Sequence, residues 1–140
     1  MIKSQMKKSV FRTLTVLAGV NILLGIFHLF FLSNMMGWGT ELSGLAPESQ
    51  ATIAVLNIFM GVLFTGFGIL SFIYLPLLKE KSKGAWIFFM FLGIIWFIRA
   101  IMEPIYYPVI WEEIMFTIIL LVIAGLYLYP LIKHRKEFVK

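Results

Sequence analysis

The chain has 140 residues, 61% hydrophobic and only 14% charged, with mean hydropathy +0.95; soluble domains carry about 25% charged residues, so a water-covered globule is excluded. Its net charge of +5 does not point to nucleic acid, because the basic residues sit in three short clusters between apolar runs, a pattern of membrane topology and of attraction to anionic lipid. The absence of cysteine excludes disulfides, thiolate catalysis, iron–sulfur ligation, cysteine-based zinc sites and dithiol–quinone chemistry.

Residues 1–12 carry Lys3, Lys7, Lys8 and Arg12 and form an interfacial lead-in. The first apolar run, about 13–33, matches the roughly 20 residues that cross a bilayer. It is longer than the apolar core of a secretory signal and no small-residue cleavage site follows, so it is a retained span. Residues 34–50 are irregular, with Gly37, Gly39, Gly44 and Pro47, while Met35, Met36 and Trp38 suit the interface. Pro47 followed by Glu48 starts a helix, since proline fits its first turn and a carboxylate complements its dipole.

The second span covers about 51–75 and ends near Pro76, before the charged loop Lys79-Glu80-Lys81-Ser82-Lys83. The third covers about 84–102 and is closed by Pro104. Tyr106-Tyr107-Pro108 makes a brief turn, and the fourth span, about 109–131, leads to His134, Arg135, Lys136 and Lys140. The pattern predicts an all-α, antiparallel four-helix transmembrane bundle, with residues 1–140 forming one membrane domain.

Orientation follows from the basic residues. Four lie at the amino-terminal end, three in the 79–83 loop and four at the carboxyl-terminal end, and the other two connections hold none. Cytoplasmic segments carry the Lys/Arg excess, so both ends of the chain are expected on the cytoplasmic side of the plasma membrane. Aromatic residues fit this arrangement. Trp38, Tyr106, Tyr107 and Trp111 fall at the outer boundary, and Tyr74, Trp86, Tyr127 and Tyr129 near the inner one. Trp96 lies deep in the third span.

Few strongly polar residues interrupt the spans: Asn21, His28, Asn57, Arg99 and Glu103. At 1.5 Å rise per residue, His28 lies about 8 Å, Asn57 about 9 Å and Arg99 roughly 5–8 Å below the outer helix ends. Glu103 stands at the boundary, with Glu112 and Glu113 in the first turn of the fourth span. All of these fall in the extracytoplasmic third. Ala18, Asn21, Gly25 and His28 make one helical stripe, and Asn57, Gly61, Phe64 and Gly68 make another. Gly61 and Thr65 permit close helix contact. Trp96, Arg99 and Glu103 share a face, with Arg99 and Glu103 at ion-pair spacing. The stripes are expected to converge in the bundle centre.

A charge within hydrocarbon is costly and marks a functional-site candidate. Arg99 is the one arginine or lysine inside an apolar segment. Paired with Glu103, it reads either as a lock between helices or as the anion-holding group of a pocket lined by His28, Asn57, Trp96, Arg99 and Glu103. The pocket would take a polar or anionic small molecule or lipid, with His28 or Glu103 as acid/base if the protein is an enzyme. Two alternatives stand beside it: an accessory subunit whose polar layer fixes packing, and a homo-oligomeric proton-coupled transporter using His28 and Glu103. His28 with Glu103 and Glu112 or Glu113 offers ligand types for zinc or iron in no recognised spacing, and His134 lies at the face opposite His28. No metal, haem or other cofactor is expected.

In length, helix count and the Gly25-Ile26-Phe27-His28 ending of its first span, the chain resembles small bacterial four-helix membrane proteins of the DoxX-like kind. The resemblance extends to outline and membrane location, not to an activity. Small multidrug-resistance transporters also have four helices, but their first helix embeds a glutamate where this chain has His28 and no acid.

Overall fold

A computed structural model describes residues 8–31, 44–106 and 111–138, with backbone alone for 31, 106, 112 and 113. All regular structure among them is helical. Helix α1 spans Lys8–Ile26 and runs on as a π-helical turn, Phe27–Phe31. Helix α2 spans Pro47–Lys79, α3 spans Lys83–Tyr106, α4 spans Trp111–Lys133, and a 3-10 turn follows at Arg135–Glu137. Each helix is long and apolar enough to cross a membrane, which makes this a multi-pass membrane protein. The expected features at Met35, Met36, Gly37, Trp38, Gly39, Tyr107 and Pro108 lie outside the described residues.

Helix α2 begins at Pro47 with Glu48 in its first turn, where the sequence places a start. Two ends differ from expectation. Pro76 does not end α2, which runs on to Lys79, and Pro104 does not close α3, which reaches Tyr106. Proline removes one backbone donor and bends a helix, yet a membrane offers the freed segment no water to bond with, so helix persists on both sides. What stops α2 is a Schellman turn. The Ser82 amide donates to the Leu77 carbonyl (3.0 Å) and the Lys81 amide to that of Leu78 (3.1 Å). Lys81 takes the left-handed conformation this requires, with φ 62°. Ser82 then caps α3, its hydroxyl accepting from the Ala85 amide at 3.4 Å.

The chain divides into two compact units, one of Val16–Phe72 and the other of Met1–Thr15 with Ile73–Lys140. In the first, the small and polar stripes of α1 and α2 meet. Leu17, Ala18, Asn21 and Gly25 are buried on α1, and Asn57, Gly61, Gly68 and Ser71 on α2. A Cβ on Gly68 would fall 2.8 Å from the Ala18 carbonyl, and one on Gly25 would fall 2.7 Å from that of Gly61. Residue numbers therefore rise along one helix as they fall along the other.

The second unit has a larger apolar core. Ala85, Phe89, Leu92, Trp96 and Ala100 form one buried stripe on α3, and Leu120, Ala124, Tyr127 and Leu131 form its counterpart on α4. The rings of Phe89 and Tyr127 stack at 6.4 Å, and Tyr74 stacks on Phe88 at 4.7 Å. The Trp86 indole donates to the Leu131 carbonyl at 3.1 Å. Outside these seams the surface is apolar, with Val62, Ile73, Ile98 and Ile118 about half exposed. In hydrocarbon such exposure carries no cost.

Candidate functional site

Among the described residues, the polar side chains singled out in the sequence form one pair in each unit. In the unit containing α3 and α4, a guanidinium nitrogen of Arg99 meets Glu103 Oε2 at 2.8 Å across one helical turn. The i,i+4 spacing legible in the sequence delivers this pair directly. Its partners differ in exposure: the Arg99 side chain is 41% exposed and that of Glu103 only 4%. Trp96 and Ala100, buried on the same face, flank the pair on the core side. Glu103 is a buried carboxylate, because it continues the Phe89–Trp96–Ala100 stripe and turns towards the core.

In the unit of Val16–Phe72, His28 and Asn57 grip each other at two points. The Asn57 amide nitrogen donates to the His28 carbonyl at 2.8 Å, and Asn57 Oδ1 accepts from His28 Nδ1 at 2.7 Å. Phe64, one turn further along the same α2 stripe as Gly61, lays its ring 5.6 Å from the imidazole at a 32° tilt. Phe27 approaches edge-on at 6.4 Å. His28 is half-buried and Asn57 buried. His28 stands in the π-helical turn, and such turns often mark functional positions because they widen the backbone and redirect a side chain. No residue in Phe27-His28-Leu29-Phe30-Phe31 announces that turn in the sequence.

Asn21, on the same α1 stripe as Ala18 and Gly25, is almost fully buried. The side chains of Glu112 and Glu113 lie outside the described residues, and with them the metal set they would complete. Among the described residues no three His, Asp or Glu side chains gather as a metal cluster.

A third polar group, which the sequence reading did not single out, lies beyond the end of α4. Glu137 accepts from His134 Nδ1 at 2.7 Å and pairs with Lys81 Nζ at 3.3 Å, tying the last 3-10 turn to the α2–α3 turn. Burial pushes the Glu137 carboxyl upward, but the hydrogen bonds and charges of His134 and Lys81 outweigh it, and its pKa falls below the ordinary value of 4.5. Only the i,i+3 spacing of His134 and Glu137 hinted at this group.

Comparison with protein-family models, with curated proteins and with solved structures found no match to this chain.

Proposed function

We propose that this is an antiparallel four-helix protein of the plasma membrane, with both chain ends cytoplasmic, that binds a polar or anionic small molecule or lipid near its extracytoplasmic face. The observation that carries the reading is the asymmetry of the Arg99–Glu103 pair. A lock between helices gains most when both ions are enclosed and fully bonded. Here the carboxylate is enclosed while the guanidinium side chain keeps 41% exposure. Arginine stays charged at any physiological pH and presents a planar fork that suits phosphate or carboxylate oxygens. Glu103 orients that fork, and Trp96 supplies a rigid apolar wall beside it. His28 and Asn57, in the other unit, form a separate polar pair.

Native mass spectrometry of protein purified in mild detergent tests this. Arg99→Met is expected to keep the helical content and thermal midpoint of the wild type while losing a co-purifying anionic species. Unchanged ligand retention in that variant overturns the reading.

A second reading, a structural or accessory subunit, is favoured by one feature of the other unit. Asn57 uses both ends of its amide on His28, and the glycine seam beside it brings α1 and α2 into backbone contact. On that reading Arg99→Met unfolds the protein rather than emptying it.

A further inference from the structure

The paired bonds between His28 and Asn57 fix more than a helix contact. An asparagine amide has one oxygen, which only accepts, and one nitrogen, which only donates. The main-chain carbonyl of His28 also only accepts, so the group facing it at 2.8 Å is the Asn57 nitrogen. That leaves Asn57 Oδ1 against the imidazole at 2.7 Å, and an acceptor there demands a proton on Nδ1. Neutral imidazole carries one N–H. With Nδ1 protonated, Nε2 must present a lone pair.

That lone pair stands in an apolar span. Among the described residues nothing donates to Nε2, and the atom is not sealed within the protein. An acceptor facing hydrocarbon without a donor is less stable than one that is bonded. The ring cannot turn away to find another partner, because the Asn57 grip and the Phe64 face 5.6 Å distant hold its plane. This arrangement, a histidine aimed by a second residue on its far nitrogen, is how proteins orient imidazoles that work through the near one.

We propose that His28 Nε2 is a binding site for a hydroxyl group of an apolar or lipid molecule, with Asn57 as the positioning residue that keeps Nε2 in its accepting form. The inference deepens the polar-site reading above by naming the chemistry the His28 pair selects: a neutral O–H donor, where Arg99 selects an anion. The hydroxyl can belong to a lipid headgroup or to a free long-chain alcohol, since both present the same donor.

Nitrogen-15 NMR of histidine-labelled protein tests it, with the imidazole neutral and His134→Gln removing the second histidine. In nanodiscs of phosphatidylcholine, which offers no hydroxyl, the wild type is expected to show the Nδ1–H tautomer. Adding 1-dodecanol is expected to move the Nε2 resonance upfield with saturation, whereas dodecane leaves it in place. Nanodiscs of phosphatidylglycerol form the second arm, and a shift there without added alcohol assigns the hydroxyl to a headgroup. Asn57→Ala is expected to return the ring to the Nε2–H tautomer and abolish both responses. An Nε2–H tautomer in the wild type overturns the proposal, as does an Nε2 resonance that neither alcohol nor phosphatidylglycerol moves. These outcomes are read on protein that keeps Asn57 and carries only His134→Gln, an exchange beyond the end of α4, and do not depend on the Asn57 variant folding. They also do not run through Arg99, so this proposal and the anion-binding reading fail separately.

Discussion

Glu137 holds two basic side chains with one carboxylate, Oε1 towards His134 and Oε2 towards Lys81. Its lowered pKa means that the folded form stabilises the ionised carboxylate more than the unfolded chain does. The sign follows. The contribution is complete above the ordinary value of 4.5 and is lost as pH falls through the lower folded value. With the Lys81 side chain 46% exposed, the interaction is screened and amounts to roughly 0.5–1 kcal/mol. Thermal unfolding of wild type and Glu137→Gln in detergent is therefore expected to differ at neutral pH, with the wild type higher. The gap should close as pH drops below 4.5 towards the depressed value. A gap that is constant across acid pH would assign the difference to packing of the turn rather than to charge.

Helix pairing in a bilayer cannot draw on the hydrophobic effect, because lipid tails are as apolar as the side chains they replace. Close backbone approach and polar contacts must supply what hydrophobic burial supplies in water. Gly25 shows the demand most directly: a Cβ there would fall 2.5 Å from the Thr65 amide nitrogen and 2.7 Å from the Gly61 carbonyl. Both are backbone atoms, which cannot step aside as a flexible side chain can. Gly25→Ala is expected to lower the thermal midpoint in detergent, with overpacking costing roughly 1–3 kcal/mol. Gly19→Ala on the same helix is the control, since nothing lies within 4 Å of a Cβ there. Equal midpoints for the two variants would remove the seam from the account. This seam was legible in advance, because small and polar residues recurring every three or four positions on α1 and α2 leave one face of each for contact. The Arg99–Glu103 pair was legible for the same reason. The π-helical turn at Phe27–Phe31 was not. It carries His28, whose carbonyl and imidazole both meet Asn57, and no residue type in the segment encodes it. Nor were the true ends of α2 and α3. Pro76 and Pro104 carry breaker chemistry calibrated in water, whereas the turn itself is set by Lys81 in a left-handed conformation usually given to glycine.

At the scale of the whole chain, charge does what sequence-specific contacts do elsewhere: it sets direction. Eleven of the twelve basic residues fall in three clusters, and the clusters alternate with connections that hold none. Four helices of crossing length separate those segments. On the proposed topology, in which positive charge near the ends of spans stays on the cytoplasmic side, both chain ends and the Lys79–Lys83 region lie there. The start of α2, carrying Glu48 and no lysine or arginine, then faces outward. The chain has no cysteine, so each position can be probed with a single introduced thiol and no background. With the protein expressed in a bacterial host, Glu48→Cys is expected to react with a membrane-impermeant maleimide in intact cells. Lys83→Cys and Lys136→Cys, both at exposed positions, are expected to react only after the membrane is opened. The reverse pattern would place the Arg99 and His28 pairs towards the cytoplasmic leaflet and move any ligand they hold to that side. Labelling of Lys83→Cys and Lys136→Cys from opposite sides would mean that only one of α3 and α4 crosses the membrane, and the count of spans itself would have to change.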